Sequence, residues 1–583
     1  DLTPLFHARV EYFSPGFCNS GTMANTSFTG TITHPSGAVG TFTVAPTRHG
    51  RSYVPYNCIT TGPNFGHLTQ PGTFDTLALT NKQIAGPGLG SIGWEYTYSV
   101  AEPCYVSGFG GQTPPNPCPS TLESKPKSVS VRLSEVPLSG SPRDTVSLYT
   151  FGTRFEIDEG KLQKLQVGDG VVWDRIDEFT YASSAGKAFP NPVGYSDNIR
   201  GDADFSQRIA PQAMKRSTFN GVLNGVSFTW TASNWDIYGN PTETSRSSGA
   251  KTKIETTTYA SNTAAWVLGL IDQVKDINTN VVELDIDYNS SALPITRKVF
   301  SRLDQTMTYC SLPLVSGCNA AGLLRTIKDG GNKTTTFGNH KSGIPQSVSF
   351  ADMHSISGVV NDYGWVTAYT DELGYTTNYQ YDDLGHLKKI IHPTSDSTAW
   401  IATDITFAPV LNTTEFGVGP GHWKQSITTG RFRKDIVFDA LWRPVVTSEW
   451  DTNAPAETRQ VARQFDADGR EVFASYPTTG LGAFNAGSLA GVTKQFDALG
   501  RLERTIASSE FGPQTTLITY DQLTNSKTIT NPNQQSTTIQ YLQYDSPSED
   551  HPIAISAPEG VNITIDRDVW GKPKFITRSK TGG

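Results

Sequence analysis

The sequence predicts an all-β protein: an N-terminal β-sandwich-like domain followed by a long array of stacked β-hairpins. Three observations predict it. Apolar and polar residues alternate over short segments, as half-buried strands require. Gly and Pro number 54 and 35 among 583 residues, so turns come often. A unit of the form aromatic-Asp-x-x-Gly returns at near-regular spacing toward the C-terminus, the mark of a repeat architecture. The best helical candidate, Ala264–Ile271, is weakened by Gly269.

Residues 1–122 read as a separate unit, with four of the six cysteines and four of the ten histidines. Strand patterns such as Ser27–Thr33 and Val39–Val44 alternate strictly, with a Pro35-Ser36-Gly37 turn between them, which fits a small sandwich. Residues 123–150 read as a linker and lead-in strands. The Pro-rich run Gln112–Ser120 just before them cannot be a central strand, because Pro removes ladder donors. The hairpin array then occupies 151–583.

The cysteines fall in three local pairs, Cys18 with Cys58, Cys104 with Cys118, and Cys310 with Cys318. Neighbour pairing is one among several connectivities. No C-x-x-C spacing suggests zinc, so structural disulfides in an oxidising compartment are expected, and with them an extracellular or cell-surface location.

The clearest unit is Tyr379-Gln380-Tyr381-Asp382-Asp383-Leu384-Gly385-His386-Leu387. Others begin at Phe438-Asp439, Phe465-Asp466 (with Gly469) and Phe496-Asp497 (with Gly500 and Arg501). Degenerate copies start at Tyr520-Asp521, Tyr544-Asp545 and Arg567-Asp568 (with Gly571). From Asp439 onward the aspartates lie 27, 31, 24, 24 and 23 residues apart. Weaker copies precede them at Ile157-Asp158 and Trp235-Asp236. The chemistry of the unit is legible. The aromatic ends a strand with a large apolar surface. The aspartate accepts backbone N–H bonds from residues further along the turn. The glycine supplies the positive φ of a tight turn. A second turn, at Asp371-Glu372-Leu373-Gly374 before a Thr-rich strand, forms the return half. One hairpin alone is marginal, so the units must stack. Trp442 stands where one unit should have glycine, and a different turn is expected there.

These residues resemble the RHS/YD-repeat family, whose consensus runs Y-D-x-x-G-R-L followed by a D-P-x-G-x-T-T-x-Y-x-Y-D return. The run from Asp371 to Leu387 is the closest match, and the resemblance extends over about residues 150–583. It implies YD repeats winding into a spiral sheet or hollow shell. Family members are bacterial toxins, wall-associated proteins and animal cell-surface adhesion proteins. Toxin-type members close their repeats with a core bearing self-cleaving aspartates, followed by an effector. No such core motif is read here, so neither autoproteolysis nor a toxin role is carried over.

Net charge is −8 with no basic cluster, which argues against nucleic-acid binding. No apolar run reaches the roughly 18 residues of a membrane span. Gly88-Leu89-Gly90-Ser91-Ile92-Gly93 fits a dinucleotide fingerprint by count but lacks a βαβ context, so a plain loop is expected. His7, His34, His49 and His67 have no compact metal spacing. The sequons at Asn25, Asn289, Asn332, Asn412 and Asn562 carry little weight. No cofactor, metal or catalytic residue is expected. Three readings follow: an exported structural scaffold that self-associates or binds other surface components, glycans included; a shell delivering a toxin that lies beyond this chain; and a polysaccharide-binding or -degrading surface protein.

Overall fold

In a computed structural model, the structure describes residues 26–56, 58–59, 67–68, 72–99, 102–107, 113–114, 116–121, 126–136, 143–155, 157–183, 187, 189, 210–219, 227–249, 251–394 and 397–580. The described residues form one 37-stranded antiparallel sheet, with two small two-stranded pairings beside it. The expected all-β stack of hairpins is the observed fold. Ala264–Ile271 is no helix: Val267–Asp276 is a strand, and Gly269 adopts φ 73° at an irregular point of its ladder.

The N-terminal region corrects the two-body expectation. A sandwich needs a second sheet packed face to face. Here the strand Ser91–Tyr98 pairs directly with Lys127–Val136, which pairs with Arg143–Phe151 and so with the rest of the array. The described strands between 28 and 98 are therefore the first strands of the same sheet. The alternation that suggested a sandwich is equally that of any half-exposed antiparallel strand.

Because strand directions alternate, connections fall on two edges. The upper edge carries the turns at 236–240, 361–365, 382–386, 439–443, 466–470 and 497–501. The lower edge carries those at 34–38, 86–90, 169–172, 277–280, 329–333, 350–354 and 371–375. The first strand, Phe28–Thr33, and the last, Pro573–Lys580, pair on one side only and not with each other, so the sheet is open. The last strand is exposed along its length, and Lys574, Arg578 and Lys580 place charges on it, a common guard on free strands.

On the upper edge of the early strands, segments from three connections interlock. Val54–Tyr56 pairs in parallel with Tyr105–Ser107, Ser52 bonds Thr153, and Arg51 pairs with Glu159 at 2.6 Å. Cys104 and Cys118 sit at disulfide distance within this cap, S–S 1.96 Å, and Cys310–Cys318 forms a second such pair further along. The Pro-rich run is thus folded back on the cap, with Cys118 N–H donating to the Tyr105 carbonyl. Cys18 lies outside the described residues, so the pairing with Cys58 does too.

Candidate functional site

The repeat aspartates all do the same work. Asp371, Asp382, Asp439, Asp466, Asp497 and Asp568 each accept, through Oδ1, the backbone N–H groups two and four residues on, at 2.8–3.1 Å. Asn361 and Asn289 do likewise. A backbone pair completes each turn: Gly385 N–H donates to Asp382 O, and Asp382 N–H to His386 O. The copy expected at Tyr544-Asp545 is not built this way. The strand ends at Tyr541, and Leu542 N–H donates to His551 O across a wider loop.

Oδ2 of the same aspartates selects the residue after the glycine. Arg443, Arg470 and Arg501 pair with Asp439, Asp466 and Asp497, each at 2.7 Å. Each guanidinium also lies over the next unit's aromatic: Arg443 on Phe465 at 5.3 Å, Arg470 on Phe496 at 4.8 Å, Arg501 on Tyr520 at 4.3 Å. Such contacts contribute about 0.5–1 kcal/mol apiece at exposed sites. Gly500 has a second reason beyond its φ of 81°. A β-carbon there would stand 2.6 Å from Arg470 Nη1, so the bare backbone makes room for the neighbouring unit's arginine. Trp365 fills the same slot at Gly385.

The tyrosine of the motif has a further task that sequence reasoning missed. Its hydroxyl donates to a backbone carbonyl on the adjacent strand: Tyr381 to Val366 at 2.7 Å, Tyr309 to Pro294, Tyr259 to Pro241 and Tyr181 to Leu162, each at 2.8 Å. At Arg567, which replaces the tyrosine, Nη2 reaches the Pro552 carbonyl. The spacing of about 15–19 residues between tyrosine and acceptor was available in the sequence as a signal. Tyr381→Phe is expected to weaken this tie by about 1 kcal/mol, read as faster amide exchange confined to residues 366–381. Unchanged exchange would refute the role.

The most elaborate site lies where the coil meets itself. Lower-edge turns of the early strands dock on upper-edge turns of the late ones, forming a seam. Trp423 Nε1 donates to Pro35 O at 2.7 Å, Ser36 Oγ to Ala440 O at 2.5 Å, and Ala440 N–H to Pro87 O at 2.9 Å. Ser36 and Ala440 lie 404 residues apart in sequence and are both 1% exposed. Gly88 packs on Asp439, whose side chain is 1% exposed; burial pushes that carboxyl up from its usual range, with Arg443 opposing. Further along, Asp174 faces Asp497 and Arg501. Burial first, and then Asp497, raise its carboxyl. At the far end Ser248 Oγ donates to Gln543 O at 2.9 Å and accepts from Asn525, and Tyr544 sits among Lys253, Glu255, Asp276 and Glu283. That end is less finished: Gln522 Oε1, Asn525 Oδ1 and Gln543 Oε1 are buried with no hydrogen-bond partner, sites that ordered water would serve.

Behind the start of the seam lies a core cluster of Val418, Val437, Val445, Val446, Ala462, Leu481 and Phe484. Phe484 comes from the connection between Glu471–Ser475 and Gly491–Phe496, and its N–H donates to Phe416 O at 2.9 Å. Trp442 overturns the expectation of a different turn. It takes φ 59° where glycine would stand, and the Asp439 hydrogen bonds are unchanged. The strain, of order 1–3 kcal/mol for such conformers, is offset by ring contacts with His34 at 5.1 Å and with Phe407 and Trp423 near 6 Å. Gly88–Gly93, expected as a plain loop, enters a strand and supplies seam residues.

His7 lies outside the described residues, and among those described no group of three potential metal ligands converges. His34 bonds Ser36 inside the seam turn. His49 stacks on Phe74 at 5.0 Å, bonds Thr76 Oγ1, and receives the Lys127 ammonium at Nδ1. Burial first, and then Lys127, pull it down from 6.5 to about 4, against Asp75. A base with a depressed folded pKa contributes full stability above its unfolded value and loses it as pH falls toward 4. His49→Gln should therefore flatten the fall in urea midpoint between pH 6.5 and 4; an unaltered slope would count against it.

A family model, the RHS Repeat, matches residues 361–396. No curated protein sequence matches the chain. Among solved structures, TcdB2-TccC3-TEV aligns over 93% of this chain and 41% of its own length, at TM-score 0.54 and 9% identity. TcdB2-TccC3 aligns over 93% and 39%, at TM-score 0.53 and 9% identity. The chain thus spans about two fifths of these Tc toxin RHS-repeat structures and shares their fold.

Proposed function

We propose that this chain is an exported, non-enzymatic scaffold whose coiled sheet of RHS-type hairpins forms the wall of a shell. The observation that carries the reading is the seam. A sheet that only needed to be stable could remain an open ribbon, whereas buried, hydrogen-bonded contacts between residues up to 404 positions apart make successive turns of the coil into a continuous surface. Two cysteine pairs at disulfide distance support an oxidising location. The non-enzymatic part is supported by the repeat aspartates, whose oxygens are taken up by turn amides and, in three units, by arginines. Partners are other proteins of the assembly.

A second reading, a shell enclosing a toxin, is favoured by the likeness to TcdB2-TccC3. Small-angle scattering tests the wall. A compact chain of 583 residues would have a radius of gyration near ~25 Å; a hollow coil should exceed that and show a depleted interior by electron microscopy. A solid particle at the compact value would sink the proposal. The mass of the native product separates the two readings. A longer chain with a fragment held inside the particle selects the toxin shell, and an empty particle selects the scaffold.

A further inference from the structure

The seam uses only part of the lower edge. It runs from the turn at 34–38 to the neighbourhood of 277–283, where Tyr544 lies. The same edge continues through the turns at 329–333, 350–354 and 371–375, and among the described residues no printed hydrogen bond, ion pair or ring contact ties these tips to another turn of the coil. They border an open groove lined by Ile327, Lys333, Phe350, Asp352, Glu372 and Leu373, among others. Met353 and Leu373 at its tips are 95% and 79% exposed.

The occupied part of the edge shows what fits there. Within the seam, lower-edge acids stand opposite upper-edge basic turns: Glu135 lines the same cavity as Arg443, and Asp174 faces Arg501. The free groove repeats that character, with Asp329, Asp352 and Glu372 around an apolar floor. On the upper edge, the turns within the seam carry arginine after the glycine, Arg443, Arg470 and Arg501, whereas the turns outside it carry Trp365 and His386.

We infer that the groove across residues 327–373 is a docking site for the basic turn tips of a partner chain built from the same hairpin unit, held as Arg501 is held in the internal seam. This rests on the wall reading. The apolar tip of the incoming turn covers Leu373 and Phe350, and its arginine meets Asp352 and Glu372.

The test uses the full chain and a head-to-tail cyclised peptide of residues 491–507, which carries Phe496, Asp497, Gly500 and Arg501. Binding is followed by fluorescence anisotropy at low and high salt. Saturable, salt-weakened binding is expected, falling about tenfold in the doubly reversed chain D352K/E372K, and falling similarly for a peptide with Arg501→Glu. Leu373→Asp should weaken binding at both salt concentrations. These positions are exposed, so unchanged circular dichroism and melting identify folded variants. No binding near millimolar peptide, or binding indifferent to both reversals, overturns the inference. So does concentration-dependent self-association of the unmodified chain that D352K/E372K abolishes, because the occupant would then be a second copy. Scattering decides the wall independently, so a solid particle and a failed titration remain separate results.

Discussion

Asp439→Ala is expected to destabilise the chain by about 3 kcal/mol or more, several times the cost of the same change at Asp371. Both aspartates hold a turn by two backbone N–H bonds. Asp439 alone of the two also anchors an arginine, at 2.7 Å, beneath a seam where its own side chain is 1% exposed. Removing it leaves Arg443 with a positive charge, 15% exposed, tied only to the Asp466 carbonyl and lying on Phe465. At Asp371 the loss is that of an exposed turn, about 1 kcal/mol. Urea midpoints compare the two, and amide exchange over residues 416–446 should accelerate only in the first. Asp439→Asn is expected to fall between them, since Asn361 makes the same turn elsewhere. The sign with pH is opposite to that of an ordinary paired carboxylate. The folded pKa is raised, chiefly by burial, so the contribution of this group is present below its unfolded value and is lost as pH rises through the folded one. The asparagine variant should lack that component. Equal costs at Asp439 and Asp371 would mean that the seam adds nothing.

Gly86→Leu is expected to open the seam while leaving the hairpins folded. A β-carbon at Gly86 would stand 2.5 Å from Ala440 Cβ and 3.0 Å from Gly37 O, with further side-chain atoms having nowhere to go. Overpacking of this kind costs about 1–3 kcal/mol. Here the strain can be relieved by parting two turns of the coil, which are joined at that point by few hydrogen bonds. Scattering should therefore show a larger radius of gyration with strand content by circular dichroism unchanged. Ser36→Ala removes the bond to Ala440 O without adding bulk and should loosen the same contact less, by about 1–3 kcal/mol for an unmet buried acceptor. A Gly86→Leu chain of unaltered dimensions would show that the coil is held by sheet twist alone.

How much was legible depended on range. Asp371, Asp382, Asp466 and Asp497 declared their turns because an Asx turn is a bond between a side chain and backbone two to four residues away. Gly385 and Gly500 declared the positive φ for the same reason. Trp442 was misread because the glycine rule weighs only backbone cost, whereas rings contributed by residues 34, 407 and 423 offset it. The cap and Gly88 were read as linker and loop because their partners lie far away in sequence.

The sequence by itself therefore determined the hairpin: its strand period, its aspartate turn, its glycine and the stacking that a lone hairpin requires. These depend on residues within about one unit of each other, where chain connectivity fixes the geometry. Only the tertiary structure decided that the strands between 28 and 98 join the same sheet, that Ser36 meets Ala440, and that part of the lower edge stays uncovered. Those outcomes depend on the accumulated twist of many strands. Each strand adds a small rotation with little sequence signature, and their sum decides which distant turns come together.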